Sequence, residues 1–279
     1  MTILYLLPFP MDFSLSVHTD CQELPDLPPQ TTHISSTGGN LLRLPEAFPK
    51  GLRILDLRNN RRLTSLPPLP DSLLHLDLDN SGIVQLDMLP PNLITLRCAH
   101  TPLTSLPSLP KTLATLSCAN TELSVLPDLP PSLKTLLCHH TPLCVLPRLP
   151  ASLDFLDCSW TSLACLPDIS HVKLLSCVGC RLETLPRLPH GIELDCAGNP
   201  WSEAFATVLY GDSEEDWLSE SDEGYSMLSR WRIDAINDYY DRMDEKARKR
   251  DRIHSQHLLH KNVIPDILVC VGTFLVGYA

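Results

Sequence analysis

Leu113-Ala114-Thr115-Leu116-Ser117-Cys118-Ala119-Asn120-Thr121 has near copies one period away on either side. They are Leu93-Ile94-Thr95-Leu96-Arg97-Cys98-Ala99-His100-Thr101 and Leu133-Lys134-Thr135-Leu136-Leu137-Cys138-His139-His140-Thr141. Each begins 20 residues after the one before and runs on into a Leu-Pro-x-Leu-Pro segment, as in Leu106-Pro107-Ser108-Leu109-Pro110. A fixed period this short specifies a solenoid, because one unit cannot bury its own apolar face and must stack on its neighbours.

The second leucine of the pattern marks the period. It falls at Leu55, Leu76, Leu96, Leu116, Leu136, Leu156, Leu175 and Leu194, so the unit tolerates single-residue slips. Upstream, Ile34 takes the marker place, with Leu24-Pro25 and Leu27-Pro28 before it and Leu41 and Leu44-Pro45 after it. A degenerate earlier copy puts Ser14 in the marker slot, with Leu7-Pro8 before it. About ten repeats result, and the reading places the solenoid at residues 1–200.

These residues resemble the short, 20-residue bacterial class of leucine-rich repeats, as found in the YopM-like and IpaH-like families of type III secreted effectors. The resemblance covers roughly residues 14–200. It implies a β-rich solenoid: a horseshoe with a parallel concave sheet and an extended, Pro-rich convex side. It also implies a protein-binding role, directed at a host cell. In those families an Asn in the turn after the strand ties backbone groups together. The present chain departs from them by using mostly Cys after the marker leucine and mostly Thr at the ladder place.

Side chains alternate between the two faces of a strand. The marker leucines point inward, and so does the column two places on: Leu57, Leu78, Cys98, Cys118, Cys138, Cys158, Cys177 and Cys196. Six cysteines therefore fill one interior file as small hydrophobes. In-register Cβ vectors are parallel, which opposes disulfides along the file. The ladder column reads Asn60, Ser81, Thr101, Thr121, Thr141, Thr161, Cys180 and Asn199. Thr and Ser make shorter side-chain-to-backbone bonds there. Most of the 26 prolines lie in the return limb, where they favour extended backbone over helix. An odd total of 11 cysteines and no Asn-x-Ser/Thr site favour a reducing, cytoplasmic setting, which would be the host cytoplasm for an effector.

Catalytic signatures are missing: there is no Gly-x-Ser-x-Gly, phosphate-binding loop or His-Glu-x-x-His. Nor is there a Cys-x-Asp motif, so the ubiquitin-ligase activity of IpaH-like effectors does not carry over. Cys177-Val178-Gly179-Cys180 has zinc-like spacing, but the repeat already assigns Cys177 to the core and Cys180 to the ladder. The chain reads as a non-enzymatic binder with no metal and no cofactor.

A partner protein is expected on the concave face. Its middle is small and bland. Asp56, Asp77 and Asp79 with Arg58 and Arg97 make one end charged, while Leu137, His139, His140, Phe155 and Trp160 form an apolar-aromatic patch across two repeats. Exposed aromatics of this kind are the usual anchors of a protein interface. Two occupants compete for the patch: a foreign partner and the chain's own C-terminal segment.

After Gly198-Asn199-Pro200, residues 201–225 read as a capping helix (Trp201, Phe205, Val208, Leu209) and an acidic linker from Asp212 to Glu223. Ser213 and Ser219 in that linker precede acids in the manner of phosphorylation sites. Residues 226–279 read as a helical segment with an apolar tail. Leu228, Trp231, Ala235, Tyr239 and Met243 form the helix's apolar stripe, and Lys246, Arg248, Lys249, Arg250, Arg252 and Lys261 make its far end basic. A net charge of −11 opposes nucleic acid as the main target. The apolar run after Asp266 falls short of the ~20 residues a spanning helix needs, which opposes a membrane anchor. Ile3–Pro10 lacks a basic flank and does not read as a signal peptide. The expected function is a protein-interaction module. The alternatives are an adaptor recruiting a ubiquitin ligase through the C-terminal segment, and a membrane-tethered scaffold.

Overall fold

A computed structural model describes residues 5–9, 12–17, 22–24, 27–37, 39–210 and 230–260. Eleven strands lie side by side in chain order in one sheet. They are β1 Tyr5–Phe9, β2 Asp12–Val17, β3 Thr31–Ser36, β4 Ile54–Asp56, β5 His75–Asp77, β6 Thr95–Arg97, β7 Thr115–Ser117, β8 Thr135–Leu137, β9 Phe155–Asp157, β10 Leu174–Ser176 and β11 Glu193–Asp195. From β2 onward every pairing is parallel, and from β3 onward it is in register, marker residue opposite marker residue. The chain is thus a leucine-rich-repeat solenoid, with helices α1 (Glu203–Tyr210) and α2 (Arg230–His260) after the last strand.

The first repeat differs from the sequence expectation in two ways. Leu15, not Ser14, sits opposite Ile34 and is buried, because the pairing shifts register between Phe13 and Ser14. A bulge of this kind adds one residue and moves the inward face by one place. In addition, β1 runs antiparallel to β2 and forms a hairpin on the sheet edge instead of a return limb. Proline within a sheet is confined largely to edge strands, and Pro8 lies on one.

One continuous apolar core runs from Ile34 through every marker leucine to the C-terminal helix. The six-cysteine file lies wholly inside it. Between repeats the chain returns without helix, and before each of β4 to β9 a turn has the Leu N–H donating to a Pro carbonyl, as Leu113 does to Pro110. The ladder column bonds backbone except at Ser81, whose buried hydroxyl has no partner among the described residues. Asn60 Nδ2 donates to Leu57 and, across the repeat boundary, to Ser36, while its Oδ1 accepts from Leu41 N–H. Thr101, Thr121, Thr141 and Thr161 each reach only one carbonyl, three residues back in the same repeat. A second hydroxyl column supplies the missing inter-repeat bonds at the start of the strand. Thr112 donates to Pro91 and Leu93, Ser132 to Lys111 and Leu113, and Ser152 to Leu133.

Burial sets thiol reactivity. It pushes Cys98, Cys138 and Cys177 far up and Cys118 up to about 12, whereas Cys144 and Cys165 are exposed. Hydrogen bonds from Cys158 and Thr161 pull the Cys180 thiol down to about 6 in an otherwise enclosed position. An alkylating reagent at neutral pH should therefore label Cys144 and Cys165 fast in the native protein. Cys180 should follow when the last repeats open, and the core file only on unfolding. Rapid native labelling of Cys118 or Cys138, read by peptide mass mapping, would contradict this packing.

After the last strand both helices pack on the end of the core. Phe205 and Ala206 of α1 are buried, and Trp201 packs on the core. In α2 the buried positions are Ile233 and Ile236, with Tyr239 and Tyr240 beside them; Met243 is exposed and Ala235 only partly covered. The stripe expected through Ala235 and Met243 is therefore rotated. Asn237 explains the rotation: its amide donates to the Leu188 carbonyl and accepts from the Leu188 N–H, fixing which face meets the last return limb. Tyr240 Oη donates to the Leu185 carbonyl, and Arg187 pairs with Asp241 and Asp244. Lys246, Arg248 and Lys249 project into solvent. Among the described residues no helix is long and apolar enough to cross a membrane. The acidic stretch from Asp212 to Glu223 with Ser213 and Ser219, together with Leu228, Lys261 and the tail Val263–Ala279, lies outside the described residues.

Candidate interaction surface

In-register pairing turns the strands into rows. Across the last four strands one row reads Thr135–Phe155–Leu174–Glu193, and the row beside it reads Leu137–Asp157–Ser176–Asp195. These side chains share one face of the sheet, since each pair on a strand is two residues apart. Phe155 and Leu137 are half-buried there, as is His139 just beyond β8.

His140 and Trp160 are not on the sheet but on the turn leaving it, where they form its rim. The column they occupy reads Asn59, Asn80, His100, Asn120, His140, Trp160, Gly179 and Gly198, and every member has positive φ, from 53° to 67°. Asn and Gly are the ordinary occupants of this left-handed region, and other residues pay about 1–2 kcal/mol to enter it. His100, His140 and Trp160 enter it nonetheless. Their N–H groups still continue the ladder, Trp160 donating to Val178 at 2.6 Å and His140 to Ser159 at 2.9 Å.

The rim side chains stack. The rings of His140 and Trp160 are 5.8 Å apart and nearly parallel, and His139 meets His140 edge-on at 5.5 Å. On its other side the Trp160 ring lies against Gly179, where a Cβ would come within 2.6 Å of it. Trp160 remains 56% exposed. The five sequence-chosen residues therefore divide into a sheet group (Leu137, Phe155, His139) and a rim group (His140, Trp160) on adjacent repeats. Sequence reasoning placed the rim column on the sheet and missed its backbone. The run of Asn and Gly through that column was the available signal.

Electrostatics differ along the concave face. Arg97 reaches Asp79 at 3.2 Å and Asp77 at 3.9 Å, and Arg58 reaches Asp56 at 2.9 Å. Burial, with repulsion from Asp79 and Asp56, holds the Asp77 carboxyl above its ordinary range. Burial likewise lowers the His139 imidazole against the pull of Asp157. Among the described residues no three or more His, Cys, Asp or Glu side chains are placed to hold a metal ion.

The described part of α2 docks on Leu185–Leu188, away from both groups, so it does not occupy the patch.

No protein-family model matches this chain, and no curated protein does. Solved structures do. The chain is 30% identical to YopM from Yersinia enterocolitica WA-314, with a TM-score of 0.58 over 65% of this chain and 50% of that one. It thus spans half the length of that protein. A YopM from Yersinia pestis, titled a leucine-rich effector protein, is 26% identical over 65% of this chain and 70% of that one, with a TM-score of 0.46. A Shigella effector leucine-rich-repeat domain is 28% identical over 54% and 78%, with a TM-score of 0.44. The repeats are of the bacterial effector-like, leucine-rich class.

Proposed function

We propose that this solenoid is a non-enzymatic protein-interaction module that grips a partner protein with Leu137, His139, His140, Phe155 and Trp160, and that it acts as a host-directed effector in a cytoplasmic setting. One observation carries the reading. His140 and Trp160 occupy left-handed backbone positions that Asn or Gly would fill at lower cost, and they hold an exposed aromatic stack there. Strain retained at the surface for a side chain that the core does not need points to a role outside the fold. Concave faces of solenoids are the extended binding surfaces of this architecture, and likeness to YopM supports the effector role. In this reading the first half of α2 is structural. It seals the solenoid end, and neither ligase recruitment nor membrane tethering is invoked for it.

The test is quantitative affinity capture from host-cell lysate with wild type and F155S/W160S. The double variant should melt within a few degrees of wild type, because neither ring is part of the continuous core. Proteins enriched on wild type should fall by about tenfold or more on the variant, as expected for loss of interface anchors. An unchanged set of captured proteins would remove the patch from the interface.

A further inference from the structure

We propose that the site takes a cationic side chain from its protein partner, an arginine or lysine flanked by an apolar residue, seated over Ser176 between Asp157 and Asp195. The inference rests on the concave-face reading above and specifies the chemistry of what binds there.

The two ends of the concave face treat their carboxylates differently. Asp56, Asp77 and Asp79 at the N-terminal end carry arginines of this chain. Asp157, Glu193 and Asp195 at the other end have no ion-pair partner among the described residues, and no Lys or Arg stands in either row between β8 and β11. Asp157 spends one oxygen on the Ser159 N–H. Asp195 meets the Ala197 amide, but its Oδ1 is enclosed without a hydrogen bond. Burial and repulsion from Asp157 push the Asp195 carboxyl above its ordinary range.

Geometry then sets what fits. Asp157 and Asp195 flank Ser176 in one row, two strand spacings apart, or about 9–10 Å. Ser176 is short, and its Oγ is turned to Ser159 Oγ at 2.7 Å. That leaves room above it for one guanidinium or ammonium group, which would bond one carboxylate directly while the other adds attraction at longer range. Phe155 and Leu174 fill the adjacent row and would cover the aliphatic stem.

The test pans a random dodecapeptide display library on the full chain. Affinities of the selected peptides are then measured by fluorescence anisotropy for wild type, F155S/W160S and D157N/D195N. The asparagines keep each Oδ1 and the Ser159 bond, and a thermal melt checks that folding is intact. Selected peptides should carry Arg or Lys beside an apolar residue. D157N/D195N should weaken them by about tenfold, roughly the effect of replacing the peptide's own cation with Gln, and the two changes together should not add. Peptides that depend on Phe155 and Trp160 but bind D157N/D195N within about twofold would overturn the inference and leave the concave-face reading standing. Peptides indifferent to F155S/W160S, or no selected peptides at all, would overturn both.

Discussion

Replacing Ile236 with Asp should detach α2 from the solenoid and melt the last repeats ahead of the others. Ile236 is fully buried and sits one residue before Asn237, whose two bonds to Leu188 lie at the same contact. A carboxylate there has no cation or donor placed to receive it, so undocking is less unfavourable than burial. What is lost is the docking free energy. Burial of Ile233 and Ile236 stabilises by about 1.5–3 kcal/mol each, and the Leu188 bonds by about 1 kcal/mol each. The Arg187 pairs with Asp241 and Asp244 are exposed and add little. Solenoid stability is a sum of nearest-neighbour terms, so the damage should stay local. Hydrogen exchange should rise at residues 174–210 and remain unchanged from β4 to β7. Equal protection of residues 174–210 in I236D and wild type would mean that α2 is not a cap.

The period, the parallel sheet, the core file and the absence of convex helices were all legible in the sequence, because each is a column property repeated many times. A repeat is its own alignment: Cys118 is read correctly because Cys98 and Cys138 say the same thing. What was not legible occurs once or depends on backbone geometry. The register at Leu15 follows from a single bulge, and no neighbouring repeat shows it. Helix α2 has one copy, and its apolar residues allow two stripes; Asn237, a polar residue, chooses between them. The hydroxyl column at Thr112, Ser132 and Ser152 looked like ordinary turn composition, since nothing in the letters says that its bonds cross to the previous repeat.

That column also explains how the Thr ladder is tolerated. At Asn60 and Asn199 the amide joins two repeats, Asn199 reaching Cys177 and Cys196 together. At Thr101, Thr121 and Thr141 the hydroxyl is too short to do so and satisfies only its own turn, while Thr161 also meets Cys180 Sγ of the next repeat at 3.3 Å. Cys180 is intermediate: its longer thiol reaches back to the Cys158 carbonyl at 3.2 Å. Cross-repeat bonding at the far end of the strand is thus strongest where the solenoid starts and stops. In the middle it has moved to the near end of the strand.

Valine at position 179 should be among the most damaging single changes on the surface, lowering stability by about 3 kcal/mol. Two independent effects combine. Gly179 has φ +61°, a region that a β-branched residue enters only under strain, and its Cβ would lie 2.6 Å from the Trp160 ring. A double-mutant cycle separates them. G179A alone should cost about 2 kcal/mol, but only about 1 kcal/mol in a W160N background, where the ring is gone and the left-handed backbone alone remains. W160N by itself should melt no lower than wild type, because Asn suits φ +56° without strain while the lost stack is mostly solvent-facing. Peptide or protein ligands of the concave face should nevertheless be lost. If W160N were instead destabilised by more than about 1 kcal/mol, Trp160 would be a structural residue and its strained backbone would no longer argue for a partner. Stability held level while binding falls is the outcome that a side chain retained for recognition requires, since such a residue lowers the stability of the fold that carries it.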